Sequence, residues 1–140
     1  MAKAKVRWVE GMQFVGTPPS NHAIVLDGSE KAGAADSAIH PGELVLVGLA
    51  GCTGIDVVSI LKKMHIEFSE LEVHVDAEAA EEHPRGWKKI KVSYLAAGKD
   101  IPEEKLKHAI ELSQEKYCSV SATLRWPVEI SYDYRIEKRD

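Results

Sequence analysis

The chain is poor in the features by which small proteins are stapled or specialised. Its 140 residues include only two cysteines, Cys52 and Cys118, and neither belongs to a CxxC or other zinc-ligand spacing. Six histidines are scattered without any HxxxH pair, so no histidine metal site and no cofactor is expected. Basic runs are missing and the formal net charge is -4, which excludes nucleic acid and anionic membrane as main partners. The opening MAKAKVRWVE contains no continuous apolar segment of the secretory kind, so a cytoplasmic chain is expected. In that reducing compartment a permanent disulfide is disfavoured, which leaves the thiols as two small hydrophobes or as a redox couple. No internal repeat or linker divides the sequence. One domain over residues 1–140 is expected, large enough to bury a core without metal or disulfides.

What the sequence does contain is one long apolar stretch, PGELVLVGLAGCTGIDVVSILKKM, from Pro41 to Met64. Pro41 suits the first helical position and Glu43 complements the positive helix end, while Lys62 and Lys63 suit the C-terminal end. Leu44 to Ile55 is uncharged, and a helix apolar on every side is expected to be enclosed by other elements. Cys52 would then be deep in the protein. Thr53, Asp56 and Ser59 interrupt the run, so it reads as a core helix rather than a membrane span. Gly48, Gly51 and Gly54 surround the thiol, each at a cost of about 1 kcal/mol relative to alanine in a helix. Asp56, one turn after Cys52, is expected to have a structural hydrogen-bonding role, since an anion beside a thiol makes it less reactive.

Around this helix the pattern alternates between wet and apolar faces. Strands are expected at Lys3 to Val9, Met12 to Gly16 and His22 to Leu26, followed by a small, polar surface connection from Ser29 to Ile39. Phe68 to Ala79 and Trp87 to Leu95 form the clearest hairpin, with acids on one strand facing lysines on the other, and His74 on the wet face. Asp100 is expected to cap a second helix, whose stripe Leu106, Ala109, Ile110, Ser113 and Tyr117 packs by one side and which ends at Cys118. Ser119 to Arg125 is read as a connection. A last strand is expected from Val128 to Ile136. The order β-β-β-α-β-β-α-β describes an α+β domain with a buried central helix.

The run PGELVLVGLAGCTGIDVV, a second cysteine closing the second helix in KYCSVSATL, and the alternating final strand together resemble the OsmC/Ohr family. The wording GLAGCTGIDVV is nearest to an uncharacterised OsmC-like branch. That resemblance implies an intertwined homodimer with long central helices packed together. It further implies a thiol-dependent peroxidase acting on organic hydroperoxides, with Cys52 attacking the peroxide, Cys118 resolving, and an external lipoyl-type dithiol as reductant. Active relatives raise the reactivity of the first cysteine with an arginine from the loop after the first strand, held by a glutamate at the start of the central helix. Gly11 to Gly16 contains no arginine, and Arg7 is the stand-in on the preceding strand. The glutamate position, ten residues before the first cysteine, is Gly42, with Glu43 beside it as the candidate third site residue. Two rival readings stand beside the peroxidase: an OsmC-like dimer with unreactive cysteines that binds a small apolar ligand, and a purely structural dimer.

Overall fold

The computed structural model describes residues 1–139. Strands β1 (Lys5–Glu10), β2 (Gln13–Thr17) and β3 (Ile24–Leu26) form an antiparallel sheet in that order. The β1–β2 turn is closed by the Trp8 indole N–H, which donates to the Gly11 carbonyl at 2.8 Å. Gly11 itself takes φ 53, a left-handed conformation that glycine adopts at little cost. The connection after β3 is pinned, because the buried Asp27 carboxylate accepts from the Gly28 N–H, the Ser37 N–H and the Ser37 hydroxyl at 2.7, 3.0 and 2.6 Å.

Helix α1 (Pro41–Lys63) follows, with proline in its first turn and lysines in its last. His40 caps it reciprocally: the Glu43 carboxylate accepts the His40 backbone N–H at 3.0 Å. Strands β4 (Glu70–Ala79) and β5 (Trp87–Ala97) then pair antiparallel, setting Asp76 opposite Lys91 and Glu78 opposite Lys89. This is the expected charge complement. Helix α2 (Glu103–Leu112) passes without a break into a π-helical turn at Ser113–Tyr117, and a short helix α3 (Ser119–Arg125) comes next.

The centre of packing lies where α1 meets β4 and α2. Val57, Leu61 and Ala109 are completely buried there, with Ile60, Ile66, Phe68, Leu71, Tyr94, Leu106 and Ile110 around them. Full burial of a valine or leucine contributes about 1.5–3 kcal/mol, so this cluster is what holds α1 to the hairpin.

Four expectations are corrected. Helix α1 is not enclosed: it buries the stripe Leu49, Thr53, Val57 and Leu61, while Val47 and Ile55 remain 58% and 73% exposed. One hairpin and two short helices cover one side of a 23-residue helix, and among the described residues no element packs over the other side to the same extent. Val128 to Ile136, expected as a strand, has no regular secondary structure and pairs with no strand among the described residues, and its apolar side chains are exposed. Ser119 to Arg125 is a helix rather than a connection. Pro102, not Asp100, is the N-cap of α2; its carbonyl accepts the N–H groups of Lys105 and Leu106, and its ring presets φ at -63.

Candidate active site

Cys52 sits in the middle of α1, half-buried, and Cys118 is buried at the start of α3. The chain breaks helical geometry at Cys118, with φ -72 and ψ 101, which swings its side chain to the N-cap position of α3. There the Cys118 Sγ accepts the Ser121 N–H at 3.4 Å, as a serine or aspartate oxygen does in an ordinary cap. Packing of α3 on α1 brings the thiols together. Both sulfurs and a carboxylate oxygen of Asp56 lie within 4.8 Å of one another.

A polar network beneath this pair links α1 to the Cys118 turn. Thr53 Oγ1, completely buried, is 2.7 Å from both the Tyr94 and the Ser113 hydroxyls. Ser113, equally buried, donates to Asp56 Oδ2 at 2.8 Å. Gln114 donates to the Tyr94 hydroxyl at 2.7 Å and accepts from Ser121 at 2.9 Å. Among the described residues no buried side-chain polar atom lacks a partner, as a low-dielectric interior requires. Asp56 thus has the hydrogen-bonding role expected of it.

The electrostatics of the two sulfurs diverge. Burial pushes the Cys52 thiol up, but the backbone amide of Val120, the Cys118 thiol, and the side chain and backbone of Ser119 outweigh it, so its pKa is lowered. Ser119 Oγ lies 3.8 Å from the Cys52 Sγ. For Cys118, burial and the neighbouring Cys52 push the pKa up against the opposing Ser121 and Val120 amides. The group that favours a Cys52 thiolate is therefore the amide end of α3 rather than a cationic side chain.

Two further candidates are not brought to the thiols. Glu43 is engaged in the α1 cap, nine residues or about 13 Å along the helix from Cys52. Arg7 lies on β1 opposite Val15, and the only arginine contact near the network is the donation of Arg125 Nη1 to the Gln114 carbonyl at 2.9 Å among the described residues. Thr53, Tyr94, Gln114, Ser119 and Ser121 were not singled out from sequence. The available signal was polar residues such as Thr53 and Ser113 on faces that packing buries, which must find partners. Of the glycines beside Cys52, Gly54 is approached by the Val73 side chain, at 3.4 Å from where a Cβ would stand. Gly48 and Gly51 face open space instead.

Comparison with known proteins shows the family of this chain. The family model described as OsmC-like protein matches residues 33–133, which contain both thiols and the network. The chain belongs to the OsmC-like family. It is 39% identical over 134 residues to protein YhfA of Escherichia coli K12, covering 96% of this chain and 97% of that one. A hypothetical protein of Aquifex aeolicus VF5, known from its crystal structure, is 29% identical with a TM-score of 0.78, covering 89% and 87% of the two chains. The organic hydroperoxide resistance protein OhrB of Bacillus subtilis is 25% identical with a TM-score of 0.57, covering 89% and 90%. This OsmC-like chain therefore shares its α+β architecture with proteins described as organic hydroperoxide resistance proteins.

Proposed function

We propose that this OsmC-like protein is a cytoplasmic, thiol-dependent peroxidase that reduces organic hydroperoxides. The observation that carries the reading is the pair itself: two free sulfurs within 4.8 Å, one with a lowered pKa and one with a raised pKa. The Cys52 thiolate attacks the distal peroxide oxygen, the O–O bond breaks, and the alkoxide leaves and takes a proton as the alcohol. Cys52 is left as a sulfenic acid. The Cys118 thiol then displaces hydroxide from that sulfur, forming the disulfide and water before a second peroxide can over-oxidise it. Two exchanges with an external dithiol of the lipoyl type return both thiols. Forming the bond of about 2.05 Å requires the sulfurs to approach from within 4.8 Å, a movement this reading assigns to the Cys118 turn.

The reading includes a homodimer. Its support is the exposed apolar side of α1, together with the exposed Val128, Ile130, Tyr132, Tyr134 and Ile136 in the segment after α3. A second copy offers each of these a matching surface. Glu43 or Arg7 would enter the chemistry only from that partner.

The test is peroxide consumption with cumene hydroperoxide and a dihydrolipoamide-regenerating system. Continuous turnover is expected from the native protein and none from Cys52→Ser. Cys118→Ser should consume about one equivalent of peroxide and then stop, with Cys52 held at the sulfenic stage. Native turnover no greater than that of Cys52→Ser would end the proposal.

A further inference from the structure

Asp56 accepts from Ser113, but peroxide chemistry gives its negative charge no part beside the sulfurs. A carboxylate next to a thiolate opposes its formation, yet an Asp56 oxygen lies within 4.8 Å of both sulfurs. Its orientation is built rather than incidental. Ser113, which is completely buried, donates to Oδ2 at 2.8 Å and is itself joined to Thr53 at 2.7 Å. The Cys118 Sγ is likewise held, by the Ser121 N–H. Among the described residues, none of the ion pairs includes Asp56. With both thiols ionised, three anionic donors lie within 4.8 Å of one another.

We propose that the reduced protein binds a thiophilic divalent cation, zinc in the first instance, through Cys52 Sγ, Cys118 Sγ and the Asp56 carboxylate. Two thiolates select a soft or borderline ion and disfavour magnesium and calcium, which prefer all-oxygen sets. Zinc–sulfur bonds of about 2.3 Å and zinc–oxygen bonds of about 2.0–2.2 Å fit donors that move inward from their present separations by roughly 1 Å. Three protein ligands leave a fourth tetrahedral position to water. The Ser113 and Ser121 hydrogen bonds orient the ligands from the second layer, as stable sites require. Binding releases the two thiol protons. Forming the Cys52–Cys118 disulfide removes two of the three donors, so only the reduced chain binds the ion, and the bound ion keeps both sulfurs from electrophiles. This reading does not depend on peroxidase turnover.

Cadmium and zinc titration of the fully reduced full-length protein tests it. One cadmium per chain is expected, with thiolate-to-metal absorbance in the ultraviolet and at least tenfold slower alkylation of Cys52 by iodoacetamide when zinc is present. Asp56→Asn keeps an acceptor for Ser113 but loses the charge, and should weaken binding at least tenfold. Cys118→Ser and the oxidised native protein should not give the absorbance. The proposal is overturned if the reduced native protein, with both thiols verified free, takes up no cadmium or zinc. Uptake that is equal in Cys118→Ser, or unchanged in a folded Asp56→Asn, overturns it as well. The native titration needs no variant to fold.

Discussion

At the scale of single residues, the two thiols are made different by what surrounds them. Cys52 faces the amides of Ser119 and Val120, while Cys118 spends its sulfur on capping α3 and is more deeply enclosed. Alkylation against pH should therefore show Cys52 reacting through a pKa below the ordinary thiol range and Cys118 through one above it. Mass mapping of iodoacetamide adducts across pH 6 to 10, roughly the span over which thiols of this kind titrate, measures both. The sign follows from the thiolate being the nucleophile: as pH falls, Cys118 loses reactivity first and Cys52 last. Thr53→Val preserves shape but removes one partner from each of Tyr94 and Ser113, which retain Gln114 and Asp56. Ser113 still donates to Asp56, but the Tyr94 O–H, which accepts from Gln114, loses the acceptor it had in Thr53, so a loss of about 1–3 kcal/mol is expected, measurable by urea unfolding. Both cysteines were legible in the sequence as a pair, whereas their different environments depend on α3, which alternation and apolar periodicity did not reveal.

At the scale of elements, α1 is set by its ends and by one face. His40, its cap, is 2.7 Å from Asp36 and 3.5 Å from Glu43. The hydrogen bond to Asp36 pushes the His40 pKa up against its partial desolvation, with the Glu43, Asp36 and Asp27 charges adding to the rise. A raised folded-state pKa means that this contribution to stability is fully present below the ordinary histidine value and is lost as pH rises through the folded one. A proton NMR titration of the imidazole should place His40 above that value, and Asp36→Asn should bring it down. On the buried face the magnitudes are larger. Leu61→Ala empties the centre of the cluster and should cost about 2–5 kcal/mol. The helix, its proline start and its lysine end were readable from the sequence because capping and end charge are local. That only one side of α1 is covered was not readable, since an all-round apolar pattern is the same whether its second cover comes from its own chain or from another.

At the scale of the molecule, the described chain shows apolar surface on β1, on α1 and along the tail, including Trp8, Ile55 and Tyr132. Patches of this kind mark association surfaces. The proposed dimer predicts that Ile55→Asp shifts sedimentation from two chains toward one while the helical circular dichroism is kept. A native protein that sediments as a monomer at micromolar concentration would contradict it.

The sequence by itself determined the element order through β5, the amphipathic face of α2 and the resemblance carried by the two cysteine segments. Periodicity, turn residues and helix-end charge act over a few positions and need no partner. Tertiary structure alone decided which side of α1 is buried and that Ser119 to Arg125 coils into a helix. It alone brought Cys118 to within 4.8 Å of Cys52 and Asp56, which already share a face of α1. The burial of α1 and the meeting of the thiols are contacts between residues far apart in the chain, and their geometry is fixed by how α2 and α3 dock on α1, which no local pattern encodes.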